Sequence, residues 1–498
     1  KQYRFKKDLI MAKEIYIAGE WRLGRGAVIQ SLFPADQSVN AELSTATLED
    51  VNEAIEKADQ AWRQPSWRNS LPHERARILY KVADIIEARV DELSKLQTRD
   101  NGKPLTETRG LVMSAAATAR YVAAACETLN DELTTQRAPD FMTMSVHEPV
   151  GVVAAITPWN SPIASEVQKL APALAAGNAV VLKPAEATSL IALELAKIFE
   201  EAGLPKGLLS VLVGRGSVIG DAIAQHPLVR KISFTGGTTT GRHLAHIAAD
   251  KLITTSLELG GKSPTIVLPD ADVELAAKGV AYGIFSSAGQ ACIAGSRLFI
   301  HSSLYDQFLT RLVEITKGLR VGHPEQTGVH LGPLVNDKHL QSVDRYVQLA
   351  KSEGGQVLIG GEALTTGDYA KGSYYLPTII TGLNNSAQTC QEEIFGPVLV
   401  VMKYDNEQDL IAQANDSCFG LAAGIWTESY RKAWRIARAL EVGTVWINTY
   451  KKFSISAPFG GFKDSGIGRE KGRLGILSYM QQKSIYMGLN EQPNPWCD

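Results

Sequence analysis

The chain has 498 residues, of which 45% are hydrophobic and 21% are charged, a composition typical of globular proteins with buried cores. Its 51 Lys and Arg residues nearly balance its 53 Asp and Glu residues, so the formal net charge is −2. Such a charge gives no long-range attraction to nucleic acid or to anionic membranes, and no run of about 18 apolar residues could span a bilayer. The sequence predicts a soluble chain of several domains that binds neither nucleic acid nor membrane.

The cysteines indicate a reducing compartment. They are odd in number, widely separated and never arranged as Cys-x-x-Cys, which argues against a disulfide framework and a structural zinc site. The five cysteines are Cys126, Cys292, Cys390, Cys418 and Cys497. We therefore expect a cytoplasmic protein without a bound metal. Residues 1–10 are basic, but no apolar stretch follows them, so they are not interpreted as a secretory signal. Met11, followed by Ala-Lys-Glu-Ile-Tyr, is interpreted as a plausible start of the protein.

Residues 48–130 have apolar side chains at helical spacing and are predicted to be mainly helical. From residue 151 short apolar runs alternate with amphipathic stretches, which predicts parallel strands joined by right-handed helical crossovers. The predicted strands are 152–156, 179–182, 208–213, 231–234 and 253–257, and the predicted helices include 189–202 and 272–287. Parallel sheets of this kind bind ligands beyond the carboxyl ends of their strands. The residues after each strand are therefore the candidates for a site.

The segments that follow the first four predicted strands together favour a nucleotide-binding site. Asn160 places an amide after the first strand, and Lys183 and Glu186 after the second strand are spaced to hold a sugar diol from two sides. Glycine-rich turns follow the third and fourth strands at 214–220 and 235–241, and bare amides at a helix start suit phosphate. Each glycine cluster is weak evidence alone, because the spacing is not G-x-G-x-x-G and tight turns without a ligand are common.

Two further residues have the chemistry of a reactive site. Glu258 ends the fifth strand directly before Leu259 and two glycines, which allow a ligand to approach the backbone. Cys292 lies in a loop between Gly289 and Gly295. Most single cysteines are small buried hydrophobic residues, but the loop position favours a reactive thiol at Cys292.

Seven motifs resemble those of the NAD(P)-dependent aldehyde dehydrogenase superfamily and follow its order over nearly the whole chain. They are 157–160, 183–186, 234–241, 257–262, 289–292, 392–397 and 458–461 continued by 465–466. The resemblance implies an α/β fold with two parallel-sheet domains, one Rossmann-like and NAD-binding and one catalytic, and a β oligomerisation arm. In the implied division, the NAD-binding domain comprises residues 11–130 and 150–260. The catalytic domain comprises residues 261–474, and the oligomerisation arm comprises residues 131–149 and 475–498. Since unpaired strand edges are a liability in a monomer, a homodimer or homotetramer is expected.

The resemblance also implies a mechanism. Cys292 would add to the aldehyde carbon as a thiolate and form a thiohemiacetal, whose oxyanion the Asn160 amide and a backbone N–H near Cys292 would hold. Hydride transfer to the nicotinamide would leave a thioester. Glu258 would then activate the water that releases the carboxylic acid.

The resemblance implies NAD as the cofactor, with NADP used less well. Lys183 and Glu186 would hold the adenosine ribose, and Glu393 the nicotinamide ribose with Phe395 near the ring. The Glu186 carboxylate would repel a 2′-phosphate about 4 Å away by up to roughly 4 kcal/mol per charge. The other implied cofactor residues are Ile156, Thr157, Pro158, Trp159, Gly216, Gly220, Phe234, Gly236, Gly237 and Leu259. The family commonly has Ser where Gly237 stands and Glu where Thr239 stands, and loss of that Ser removes a hydroxyl contact to the pyrophosphate.

Other polar residues carry weaker hypotheses. His243 and His246 lie on one helix face without a third metal ligand nearby, so packing or solvation explains them best. Lys451 and Lys452 lie in a segment that the resemblance puts near the substrate entrance; they are either a solvated pair or a feature that favours an aldehyde with a distant carboxylate. Ser161 stands where many relatives have an aromatic residue, which predicts a wider pocket.

Two alternatives to NAD-dependent aldehyde oxidation with hydrolysis remain open. In a CoA-acylating semialdehyde dehydrogenase, CoA rather than water would take the acyl group, and Glu258 counts against it. A non-catalytic relative is disfavoured by the joint presence of Cys292, Glu258 and Asn160. The sequence does not identify the aldehyde.

Overall fold

The computed structural model describes residues 12–490 and Trp496, so the expectations for Met11 and Cys497 lie outside the described residues. The strands of the two halves of the chain are, first, β1 Ile15–Ile17, β2 Glu20–Arg22, β3 Val28–Leu32, β4 Val39–Ser44, β5 Glu132–Leu133, β6 Phe141–Pro149, β7 Val152–Ile156, β8 Ala179–Lys183, β9 Leu209–Val211, β10 Val229–Thr235 and β11 Thr254–Glu258. They continue with β12 Pro264–Val267, β13 Arg297–His301, β14 Gln356–Ile359, β15 Ala363–Leu364, β16 Tyr374–Tyr375, β17 Thr378–Thr381, β18 Val398–Tyr404, β19 Phe419–Gly420, β20 Ala422–Trp426, β21 Thr444–Ile447, β22 Phe462–Lys463, β23 Gly466–Ile467 and β24 Met480–Gly488.

The helices fill the intervals between these strands. They are α1 Leu48–Arg63, α2 Pro65–Arg68, α3 Pro72–Ala88, α4 Val90–Asn101, α5 Leu105–Cys126, α6 Pro162–Ala175, α7 Ser189–Glu201, α8 Asp221–Gln225, α9 Thr238–Lys251, α10 Val273–Phe285, α11 Tyr305–Lys317, α12 Asp337–Ser352, α13 Gln388–Gln391, α14 Glu407–Asn415, α15 Tyr430–Ala439 and α16 Gly472–Leu477. No helix within residues 12–490 is both long and apolar enough to cross a membrane.

The first large sheet has the strand order β2-β1-β9-β8-β7-β10-β11-β23. Its five central strands are parallel, and β1 and β23 pair antiparallel with its members at either side. Strands β7 and β8 are buried along their whole length, as is usual for parallel strands covered by helices on both faces. These five strands are the ones predicted from the apolar runs, and their parallel arrangement is confirmed.

The second large sheet has the order β14-β17-β18-β13-β12-β20-β21 and is parallel except for β14. It has its own hydrophobic core, which is separate from the core around the first sheet. The predicted α/β fold with two parallel sheets is therefore confirmed.

A third sheet, β24-β6-β5, is antiparallel and holds the two segments that the resemblance assigns to an arm. Strands β24 and β6 pair over nine residues, from Met480 opposite Pro149 to Gly488 opposite Phe141. Most of β24 is exposed. The chain returns to the first sheet before it reaches β24, because β23 pairs with β11 and Ile476 belongs to the first core. The segment 466–479 thus packs with the first sheet. It includes residues on both sides of position 474, where the expected catalytic domain ends and the expected arm begins.

Local sequence signals fix where α6 and α10 begin. Pro162 begins α6, a position where its missing N–H costs nothing, and the Asp272 side chain caps α10 by accepting from the Leu275 N–H at 2.9 Å. The predicted helix 272–287 ends earlier, at Phe285, because Ser287 and Ala288 take positive φ values of 60° and 51°. A short 3₁₀ turn, Ser286–Gly289, leads from there into the Cys292 loop.

Candidate active site

The parallel register of the first sheet aligns the predicted site residues along one edge. Ile156 lies opposite both Lys183 and Phe234 in the neighbouring strands, and Phe234 lies opposite Leu257. Thr235 lies opposite Glu258 in the next row. The segments predicted to bind a nucleotide therefore begin next to one another, because the carboxyl ends of parallel strands lie at the same edge of a sheet.

Lys183 occupies one end of this edge. Its side chain is 4% exposed, and a Cβ added at Gly220 or Gly216 would lie 3.5 Å or 4.0 Å from its methylene carbons. Its ammonium donates to the Pro184 carbonyl at 2.9 Å. Burial lowers the pKa of Lys183 to about 8, while the charge of Glu186 opposes that shift. A buried ammonium held mainly by a carbonyl is suited to bind further acceptors.

The turn after β10 brings two glycines to the start of α9. Gly236 donates to the Glu258 carbonyl at 3.0 Å, and a Cβ at this position would collide with the Phe234 ring at 2.5 Å. A Cβ at Gly237 would meet no atom within 4 Å, so nothing in the backbone requires glycine there. The free amides at the start of the 14-residue helix α9 make a favourable place for phosphate oxygens.

Glu393 approaches the first sheet from the second half of the chain. Its carboxylate accepts from the Gly261 N–H at 2.9 Å, and a Cβ at Gly260 would lie 2.3 Å from the other oxygen. Burial raises the pKa of Glu393 to about 7, and the Gly261 hydrogen bond and the charge of Lys262 oppose the shift. The two glycines are required because they let this carboxylate reach the end of β11.

Phe395 is held in an aromatic cluster with Trp159. Its ring meets Trp159 edge-on with centroids 5.3 Å apart, and its carbonyl oxygen lies 2.8 Å from His339 Nε2. The His339 ring also packs against Trp159 at 5.4 Å. Phe395 has a φ of 59°, an uncommon conformation outside glycine that the cluster maintains.

Cys292 is partly exposed in the loop after the 3₁₀ turn. The loop is tightly packed: a Cβ at Gly289 would lie 1.9 Å from the Gly396 carbonyl, and one at Gly261 would lie 2.4 Å from the Cys292 carbonyl. Burial raises the pKa of the Cys292 thiol to about 12, and the charges of Glu393 and Glu258 add to the rise. The thiol form is therefore the resting form at neutral pH, and thiolate chemistry here needs a proton acceptor.

Asn160 joins the end of β7 to the cysteine loop. Its side-chain Nδ2 donates to the Gln290 carbonyl at 3.0 Å, two residues before Cys292, and the residue is 9% exposed. One N–H of the amide is used in this bond, and the second is free to donate elsewhere. This hydrogen bond thus holds together Asn160 and Gln290, which are 130 positions apart in the sequence.

Glu258 is a buried carboxylate without a hydrogen-bond partner among the described residues. It is 4% exposed, and neither carboxylate oxygen has a donor in the described part of the chain. Burial raises its pKa well above the usual range and the charge of Glu470 adds to the rise, whereas Lys169, Arg469 and Lys471 oppose it. Such a group is costly to bury and is typical of a functional position.

Below Glu258 lies a buried network that sequence analysis did not predict. Lys169 forms an ion pair with Glu470, and both side chains are almost fully buried. Ser233 Oγ lies 3.2 Å from the Lys169 ammonium and 2.8 Å from the Tyr479 hydroxyl. Lys169 lies in α6 and Ser233 in β10, whereas Glu470 and Tyr479 lie in the segments before and after α16. No local spacing therefore marks these residues as a group. His339, which orients Phe395, was also missed.

The remaining polar candidates have ordinary partners. His243 Nε2 lies 3.0 Å from Asp221 Oδ1 on the protein surface. Lys451 and Lys452 differ, because Lys451 is half-buried with its ammonium 2.7 Å from Ser286 Oγ, whereas Lys452 is exposed. The basic pair therefore separates into an inward and an outward lysine.

The chain matches the family model described as "Aldehyde dehydrogenase family" over residues 21–485 and belongs to the aldehyde dehydrogenase family, whose members are oxidoreductases. Three solved structures are similar along their whole length. Betaine aldehyde dehydrogenase from Staphylococcus aureus, in complex with NAD+, is 36% identical, with 97% of this chain and 96% of that chain covered and a TM-score of 0.96. A putative aldehyde dehydrogenase from Burkholderia cenocepacia is 37% identical, with 97% and 99% covered and a TM-score of 0.95. The NAD+ complex of an aldehyde dehydrogenase from Bacillus cereus is 37% identical, with 96% and 97% covered and a TM-score of 0.94. The predicted family is confirmed.

Proposed function

We propose that this enzyme oxidises an aldehyde to the carboxylic acid with NAD, through a thiohemiacetal and a thioester on Cys292. The proposal is supported by the position of Asn160, beyond the end of β7, where its amide bonds the loop that carries Cys292, and of Glu258 at the end of β11 in the same parallel sheet as β7. The charges of Glu258 and Glu393 both act on the Cys292 thiol, and Asn160 is bonded to the loop that carries it.

The residues along the sheet edge fit a dinucleotide. Lys183 and Glu186 are assigned to the adenosine ribose beside Gly216 and Gly220, and Glu393 to the nicotinamide ribose. Residues 156–159 with Phe234 and Leu259 form the floor. Gly236 lies beside the pyrophosphate, Gly237 and the first turn of α9 supply amides for it, and Phe395 packs near the nicotinamide. Similarity to the NAD+ complexes from Staphylococcus aureus and Bacillus cereus supports NAD. When bound, NAD accepts the hydride that leaves the thiohemiacetal carbon.

The first step forms the carbon–sulfur bond. The partly exposed Cys292 thiol gives its proton to water, and its sulfur adds to the aldehyde carbon while the carbonyl oxygen becomes an oxyanion. The free N–H of the Asn160 amide and a backbone N–H of the cysteine loop donate to that oxyanion. Addition makes the carbon tetrahedral, which is what permits it to give up hydride.

The last step breaks the same bond. Once hydride has left, the carbon is held as a Cys292 thioester. Glu258 takes a proton from water, the hydroxyl adds to the thioester carbon, and the thiolate leaves with release of the acid. The raised pKa of Glu258 makes its ionised form a strong proton acceptor.

Transfer of the acyl group to CoA is the alternative to hydrolysis. That chemistry does not require a base for water, so the buried carboxylate of Glu258 favours hydrolysis. Product analysis with NAD and aldehyde, with and without CoA, tests the proposal. We expect free carboxylic acid at a rate independent of CoA; acid formation that requires CoA, or none with any aldehyde, would overturn it.

Replacement of Asn160 by alanine is expected to lower kcat about 10²- to 10³-fold, because one donor to the oxyanion is lost. Steady-state NADH formation measures the effect. The exposed Asn384→Ala serves as the control and should retain wild-type kcat. A kcat for Asn160→Ala within twofold of wild type would remove Asn160 from the oxyanion site.

Replacement of Glu186 by glutamine is expected to reduce the preference for NAD over NADP by about 10-fold or more, since a charge repelling the 2′-phosphate is removed. The ratio of kcat/KM for the two cofactors gives the answer. Glu201→Gln, at the exposed end of α7, should leave the ratio unchanged. Comparable kcat/KM for NAD and NADP in the wild type would contradict the assignment.

We also propose that the two large sheets form the NAD-binding and catalytic domains, and that the third sheet is an oligomerisation arm. Strand β24 leaves apolar side chains exposed, including Tyr486 and Met487, and Leu133 of β5 is 72% exposed. A sheet with such edges is suited to pair with a second copy of the chain, as a dimer or a tetramer.

A further inference from the structure

One buried lysine, Lys103, and one half-buried lysine, Lys451, lie on segments that the proposed mechanism does not use. Lys103, in the turn between α4 and α5, is 5% exposed, and its hydrogen bond to the Asn101 side chain, at 3.1 Å, uses its backbone N–H and not its ammonium. Lys451 follows β21 with a φ of 57° and is half-buried, whereas Lys452 is exposed. The Lys451 ammonium donates to Ser286 Oγ at 2.7 Å, beside the turn that leads to Cys292.

The negative charge around these lysines is insufficient to balance them. Glu107 is the carboxylate whose charge acts on both lysines, but neither is bonded to it. Its oxygens accept instead from the Ser287 N–H at 2.7 Å and the Ser287 hydroxyl at 2.8 Å. Two ammonium groups thus share the field of one carboxylate that is already occupied. Burying cations with so little compensation is unfavourable, which indicates that a further anion belongs there.

Lys103 and Lys451 both interact electrostatically with Cys292. A charge on Cys292 acts on both Lys103 and Lys451, so both lie within electrostatic reach of the nucleophile. Burial lowers the pKa of Lys451 to about 7 and lowers that of Lys103. An arriving anion would stabilise the protonated form of each lysine.

The first turns of α6 add a polar surface next to Asn160. Ser161 and Ser165 lie one helical turn apart, their hydroxyl oxygens are 3.0 Å from each other, and both are partly exposed. Gln168, one turn further, is also partly exposed, but its side-chain amide donates to the Glu470 carboxylate. Side chains of this kind suit a substrate that carries its own polar groups rather than a simple alkyl chain.

We propose that the aldehyde substrate carries a carboxylate at its far end, and that Lys451 and Lys103 bind that carboxylate while Cys292 adds to the aldehyde carbon. This inference rests on the proposed function and specifies its substrate class, a semialdehyde. Lys451 supplies a donor that can exchange its Ser286 hydroxyl for the carboxylate, and Lys103 supplies a second, buried lysine side chain.

Matched pairs of aldehydes test the proposal. Succinic semialdehyde and butanal have four carbons each, and they differ in the terminal carboxylate. For Lys451→Met, kcat/KM with succinic semialdehyde is expected to fall about 10- to 100-fold, mainly through KM, because a charge-assisted hydrogen bond is lost. With butanal kcat/KM should change less than about twofold. Lys452→Met, which removes the neighbouring exposed lysine, is the control and should leave both substrates unaffected.

The role of Lys103 is tested with a second variant and with a measurement of inhibitor binding. Lys103→Gln keeps a polar side chain of similar length, and its thermal unfolding should be compared with that of the wild type. Glutarate, a dicarboxylate without an aldehyde, should compete with substrate in the wild type, and its inhibition constant should rise about 10-fold in folded Lys103→Gln and in Lys451→Met.

The outcomes separate the inference from the function on which it rests. Equal losses with succinic semialdehyde and butanal would mean that the lysines act on the nucleophile, and unchanged kinetics would mean that they bind no substrate group; either result overturns the carboxylate site. A wild type that oxidises butanal as efficiently as succinic semialdehyde would also overturn it. Failure to reduce NAD with any aldehyde would instead overturn the proposed function.

Discussion

Replacement of Cys292 by alanine is expected to abolish steady-state NADH formation, with a loss of about 10⁴-fold or more, as when other covalent enzymes lose their nucleophile. Without the sulfur no tetrahedral carbon forms, and an aldehyde carbon that remains trigonal does not release hydride. Continuous absorbance of NADH with saturating aldehyde and NAD measures the loss.

Cys418→Ala provides the matched control, because this cysteine is exposed and lies outside the proposed site. It should retain wild-type kcat and KM. Retention of turnover in Cys292→Ala, with loss in Cys418→Ala, would exchange the roles assigned to the two thiols.

Replacement of Glu258 by glutamine is expected to lower kcat about 10²- to 10⁴-fold, the usual contribution of a general base. Because hydride transfer precedes hydrolysis, the first turnover should survive. Stopped-flow measurement should therefore record a burst of about one NADH per active site, followed by a slow phase that reports the stalled thioester.

Glu127→Gln, at the exposed end of α5, is the control for removal of a carboxylate and should turn over normally. Loss of the burst as well as the steady state in Glu258→Gln would place its essential action before hydride transfer, at the Cys292 thiol. Full activity would exclude it as the base for water.

The fold could be predicted from sequence because buried parallel strands are short apolar runs with clear breaks. Strand β7 begins and ends where the pattern puts it, and α10 differs at its end only because Ser287 and Ala288 adopt positive φ. Propensity does not reveal such a conformation in a serine or an alanine, since the conformation is imposed by contacts, such as the close approach of Gly289 to Gly396.

Site residues that belong to sequence motifs could be predicted. Site residues that come together from distant parts of the chain could not. Cys292 and Glu258 stand in recognisable loops, whereas Lys103 looks in sequence like an ordinary surface lysine. The ion pair of Lys169 with Glu470 joins residues about 300 positions apart, and no local pattern indicates it. The sequence does not distinguish Lys451 from Lys452, although the first is half-buried and the second exposed.

The resting site is arranged to keep its charges low until ligands arrive. Burial raises the pKa values of Cys292, Glu258 and Glu393 and lowers that of Lys451. All four shifts favour the neutral form. Cofactor and substrate bring hydroxyl donors and, by our inference, a carboxylate, each of which would favour a charged partner in the protein.

Mass analysis of the stalled enzyme tests the central claim most directly. Glu258→Gln should be mixed with NAD and aldehyde, quenched in acid during the slow phase and digested. The account predicts a peptide containing Cys292 whose mass has increased by one acyl group, with the increase removed by hydroxylamine. Formation of NADH with no acyl group on Cys292 would contradict it.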